Sequence, residues 1–113
     1  MADLGSAWAV TESPWTPAHQ AIEDGDIDTF ARLLDSGADP NEKCCGVTLL
    51  IHAIDYEADT AIQSSSDMSV AFTAVVLAYG ASPHIPNEMG VPPGEFAQDY
   101  GHMLAKRLIE RFS

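Results

Sequence analysis

Positive charge is what this sequence has least of. Five Lys and Arg face 17 Asp and Glu, for a formal net charge of −12, and Lys106, Arg107 and Arg111 fall at the C-terminal end. Residues 1–105 thus set 16 acids against Arg32 and Lys43, or −14. A field of that sign repels phosphate backbones and anionic lipid, which argues against nucleic acid or a membrane surface as partner and for a basic protein. Solubility alone also accounts for acidity of this kind. Long apolar runs are missing too. The longest, Val70 to Tyr79, is broken by Thr73 and is far short of the roughly 20 residues that span a bilayer. No Lys or Arg precedes Arg32, so the basic start of a secretion signal is absent. The expectation is a soluble, cytoplasmic protein.

Cysteine is confined to the neighbours Cys44 and Cys45. Adjacent thiols suit neither an ordinary disulfide nor a zinc knuckle, both of which need partners separated along the chain, and they suggest a reducing compartment. No C-x-x-C or H-x-x-x-H spacing joins this pair with His19 and His52 in a metal site, so neither a metal nor a cofactor is expected. Catalytic patterns are equally scarce. None of the four histidines has a nucleophile or carboxylate at fixed spacing, and no glycine-rich phosphate loop follows a strand, because no strand is convincing. The densest acidic group, Glu23, Asp24, Asp26 and Asp28, lacks the order of a calcium loop. Asp26 and Asp28 are better explained by the positive end of a helix dipole. The chain reads as a non-enzyme.

What the sequence does contain is a repeat. At 113 residues with 46% hydrophobic content it is one globular domain, large enough to bury about two thirds of its unfolded surface. Thr16-Pro17 opens a short helix over about 17–24, and Gly25 ends it. Asp26 then caps a second helix in which Ile27, Phe30, Leu33 and Leu34 recur at helical spacing, closed by Gly37 as a left-handed cap. The segment from Ala38 to Val47 has turn residues but no amphipathic period, and reads as a projecting finger.

The same order returns twice. Thr48 opens a second unit 32 residues after Thr16, with Leu49 and Ile51 where the first has Pro17 and His19, and Gly80-Ala81-Ser82-Pro83 matches Gly37-Ala38-Asp39-Pro40. Ala53 to Gly80 is 27 positions where Ala21 to Gly37 is 16, so 11 residues are inserted, around 57–67. Ser64-Ser65-Ser66-Asp67 marks them as an exposed loop ending in a helix cap. A third unit reads Gly90-Val91-Pro92-Pro93-Gly94-Glu95-Phe96-Ala97 and Gly101-His102, and its last helix carries Lys106, Glu110 and Arg111 where an inner repeat is apolar, as a terminal cap needs.

This order resembles the ankyrin repeat family from about Thr16 to Ser113, most closely in the first unit. The resemblance implies an all-α solenoid of stacked antiparallel helix pairs with projecting hairpin or turn fingers, in repeats of about 16–47, 48–89 and 90–113, behind an N-terminal capping segment 1–15. Trp8, Val10 and Trp15 are apolar enough to cover the exposed end of repeat one. It also implies that His19 hydrogen-bonds toward the next repeat, and that a protein partner is gripped by finger tips and by the concave face of the first helices.

Residues that no core needs are free to serve that partner. They are Asp39, Asn41, Glu42 and Lys43 on finger one, His84, Asn87, Glu88 and Met89 on finger two, Tyr56 and Glu57 near the end of the second unit's first helix, and Asp99 and Tyr100 at the matching place in the third. Tyrosine beside carboxylates suits a contact to a cation. The resulting expectation is a protein-binding module for a basic partner. Its size and charge resemble bacterial immunity proteins that neutralise a cationic toxin. An acidic mimic of nucleic acid that blocks a DNA- or RNA-binding protein is the alternative.

Overall fold

The computed structural model describes residues 15–65 and 67–113. The expected covering role of Trp8 and Val10 lies outside them, as does Ser66. Thr16 and Thr48 begin their units in the same way. Each is extended (φ −68°, ψ 164° and φ −79°, ψ 168°), and each hydroxyl accepts the backbone N–H three residues on, from His19 and Ile51. That bond satisfies one of the donors every helix start leaves open. It sets off α1 (Pro17–Glu23) and α3 (Leu49–Ser64). Pro92 repeats the extended conformation before α5 (Pro93–Asp99) without a side-chain cap.

The second helices are α2 (Ile27–Asp35), α4 (Ala71–Ala78) and α6 (Met103–Phe112). Asp26 caps α2 through Oδ1, which accepts from Thr29 N–H at 3.1 Å. Along α2, Phe30 and Leu34 are buried while Ile27 and Leu33 pack half-buried against the core. Gly37 (φ 109°) ends α2 and Gly80 (φ 101°) ends α4, both with the same bond pair: Ala38 N–H to Leu33 O and Gly37 N–H to Leu34 O, then Ala81 N–H to Val76 O and Gly80 N–H to Leu77 O. This six-to-one closure requires a left-handed residue, which glycine adopts without a Cβ penalty.

Each helix pair packs internally, α1 with α2, α3 with α4 and α5 with α6, and neighbouring pairs stack like on like. One layer holds α1, α3 and α5 and the other α2, α4 and α6. Ile22, Phe30, Leu49, Leu50, Ile54, Val76 and Leu77 fill the space between them, with Phe30 and Phe72 meeting edge to face at 5.2 Å.

Two expectations are corrected. Finger one does contain strands, though minimal ones: β1 (Lys43–Cys44) and β2 (Val47–Thr48) pair antiparallel, Lys43 opposite Thr48. Their two-residue turn, Cys45 (φ 58°) and Gly46 (φ 84°), has the left-handed geometry that matches strand twist. The inserted residues, in turn, are mostly helix rather than loop. α3 runs 16 residues against seven in α1 and ends at left-handed Ser65. It can do so because Leu50, Ile54, Glu57 and Ala61 follow one another at helical spacing on a buried face.

Candidate functional site

The layer of first helices faces a groove of about 520 Å³. α1 contributes Glu23, α3 contributes Ile51, His52, Asp55 and Asp59, and α5 leads to Phe96 and Tyr100. Trp15 lies among them, and Cys45, Val47 and Asn87 join from the fingers. Helical periodicity explains the selection: Ile51, Asp55 and Asp59 are four apart, as are Phe96 and Tyr100, so each set shares a face. The rings of Phe96 and Tyr100 stack at 4.5 Å. Among the described residues, no Lys or Arg is part of the lining. Burial, followed by the Asp59 charge, raises the Asp55 carboxyl above its ordinary value; Glu23 adds to the effect and His52 opposes it.

Two buried histidines lie beside this groove. His52 Nε2 is 2.6 Å from Glu23 Oε2, and its Nδ1 is 2.7 Å from Nδ1 of His19. Trp15 stacks on His52 at 4.4 Å and on His19 at 5.5 Å. Burial lowers His19 to about 4, with His52 adding to the effect and the Glu42 backbone opposing it, so His19 is neutral at pH 7. His52 can donate its Nε2–H to Glu23 and accept at Nδ1 from His19, which makes a chain from His19 through His52 to Glu23. His19 thus bonds into the next unit, as the resemblance implies.

A second histidine–carboxylate pair, buried on both sides where Glu23 of the first is exposed, lies between units two and three. Glu57 is 2% exposed, and its Oε1 lies 2.9 Å from His102 Nε2 and 2.6 Å from the Thr73 hydroxyl. Its Oε2 accepts Thr73 N–H at 3.1 Å. Val70 offers α4 no side-chain cap, so a carboxylate from α3 caps it across the fold. Glu57 is therefore not the exposed contact that the sequence suggests. Tyr56 differs as well: it is half-buried, edge-on to Phe72 at 5.7 Å.

Of the other expected contact residues, Asn87 and Tyr100 line the groove. Two residues form turns and a third links the fingers. Asp39 Oδ1 accepts from Asn41 N–H, Asn41 Oδ1 accepts from Ser82 N–H at 2.7 Å and so ties finger one to finger two, and Asn87 Oδ1 accepts from Met89 N–H and Val91 N–H. Glu42 is half-buried, while Lys43, His84, Glu88 and Asp99 are exposed and Met89 is 85% exposed. The expected set omits Trp15, Glu23, Asp55, Asp59 and Phe96. The four-residue spacing of Ile51, Asp55 and Asp59 was the available signal.

Stacked antiparallel helix pairs, left-handed glycine closures and a hairpin finger define a helical-repeat solenoid, the class of protein that works by presenting a surface. Residues 18–70 match the family model described as ankyrin repeats (many copies), and the solenoid is an ankyrin-repeat fold. No curated protein matches the chain. Ankyrin repeats are generally protein–protein interaction modules. Among the described residues, no helix is long and apolar enough to cross a membrane, and no group of three or more His, Cys, Asp or Glu could hold a metal ion.

Proposed function

We propose that this protein is a non-enzymatic binding module that takes a basic protein segment into the groove on its first helices. The observation that carries this reading is the lining itself. Carboxylates of Glu23, Asp55 and Asp59 stand beside the rings of Trp15, Phe96 and Tyr100, with no Lys or Arg among them. A Lys or Arg side chain there meets opposite charge and an aromatic face together, and cation–π contact adds about 0.5–2 kcal/mol, more as water is excluded. The net charge of −12 steers such a partner in.

A cationic toxin is the partner class that best fits a small acidic ankyrin-repeat protein, which makes an immunity protein the narrower form of this reading. A lined groove favours a shaped interface over a nucleic-acid mimic, whose binding would spread over the whole acidic surface. Affinity capture with wild type and with Asp55→Lys/Asp59→Lys, followed by kinetics on the purified partner, tests the proposal. The expected result is a basic protein retained by wild type and lost by the variant. Equal retention by both would remove the groove from the account.

A further inference from the structure

We propose that Cys44 and Cys45 at the tip of finger one form a redox-modifiable pair, closing to a vicinal disulfide when a small-molecule disulfide such as oxidised glutathione is supplied. The two Sγ atoms lie 3.4 Å apart, Cys45 is exposed, and neither residue is in a disulfide. Cys45 and Gly46 form the left-handed turn between β1 and β2. This turn holds the adjacent thiols side by side at the edge of the groove that Cys45 lines.

The step balances as ordinary thiol–disulfide exchange. The Cys45 thiolate attacks one sulfur of the oxidised glutathione and expels one glutathione thiolate. The Cys44 thiolate then attacks Cys45 Sγ of the mixed disulfide and expels the second. The protein loses two protons and two electrons, and two glutathione molecules leave reduced. Proximity favours the second attack, because the resolving sulfur is already in contact.

The ring is strained. Adjacent Cα atoms are about 3.8 Å apart across a trans peptide, short of the roughly 4.4–6.8 Å that ordinary disulfides span. A strained bond is easily reduced again, the behaviour of a labile rather than a structural disulfide. Contact with the Cys44 thiol, with a smaller contribution from Glu88, holds the Cys45 thiol above its ordinary value, so exchange should quicken as pH rises. Closure would also remodel the finger-side wall formed by Cys45 and Val47.

Intact-protein mass spectrometry after incubation with oxidised glutathione at mildly alkaline pH reads the outcome directly. Wild type should lose two hydrogen masses and recover them with reductant. Cys44→Ser and Cys45→Ser should each stop at a single glutathione adduct, lacking the neighbour that resolves it. Amide signals of Gly46 and Val47 should shift on oxidation while those of α6 stay in place. Wild type that stops at the glutathione adduct, forms a covalent dimer or keeps its mass would overturn the proposal.

Discussion

Glu57 and His102 share a contact of 2.9 Å in which each side chain is 1% exposed, and the same carboxylate caps α4 through Thr73. One acid thus joins three helices from two repeats. Its two oxygens take three hydrogen-bond contacts, from His102 Nε2 and from the Thr73 N–H and hydroxyl, so removing it leaves those groups facing nothing.

Glu57→Ala should therefore destabilise by several kcal/mol, since each buried donor left unsatisfied costs about 1–3 kcal/mol. Glu57→Gln keeps the shape and part of the bonding and should cost less. Urea denaturation followed by circular dichroism checks both. An unchanged midpoint for Glu57→Ala would mean that the contact is not formed.

Gly37→Val should destabilise by about 1–2 kcal/mol, the cost of holding a residue with a Cβ in left-handed conformation, with more expected for a β-branched side chain. Among the described residues no atom lies within 4 Å of an added Cβ there, so the backbone conformation is what this variant tests. A variant that melts like wild type would contradict the closure of α2.

Within the extended α3, Ala61 is 6% exposed and Ile62 is 67% exposed. Ala61→Asp should lower the denaturant midpoint clearly by burying an unpaired charge, whereas Ile62→Asp should leave it within about 0.5 kcal/mol, as surface changes usually do. Equal effects would mean that the inserted residues are loop.

These predictions separate what was legible in the sequence from what was not. The caps at Thr16, Thr48 and Asp26 and the closures at Gly37 and Gly80 depend on residues within five positions of one another, and local chemistry predicts them. Glu57 does not yield to such reasoning. Charged residues are almost never fully buried unless paired, and its partners Thr73 and His102 are 16 and 45 positions away. The insertion reads as loop because its serines dominate, yet the buried stripe of Glu57 and Ala61 carries the helix through. The groove needs α1, α3 and α5 side by side, so Asp55 and Asp59 meet Phe96 and Tyr100 only in the fold.

The pH dependence follows from His19. Its folded value is lowered from 6.5 to about 4, so the unfolded chain binds this proton more readily. Stability from this group is complete above about pH 6.5 and is lost as pH falls toward 4, by up to roughly 3 kcal/mol at 1.36 kcal/mol per unit. Denaturation midpoints from pH 7.5 to 4.5 should decline, and less steeply in His19→Gln. Equal slopes would place the effect elsewhere.

The groove itself is tested most directly by titrating the ¹⁵N-labelled protein with an arginine-containing peptide and mapping the amide shifts. The expected shifts concentrate on Ile51, Asp55, Asp59, Phe96 and Tyr100, weaken with added salt and vanish in Asp55→Lys/Asp59→Lys, while a glutamate-containing peptide produces none. Shifts spread evenly over every acidic surface, or unchanged by the double reversal, would contradict a basic-segment site on the first helices.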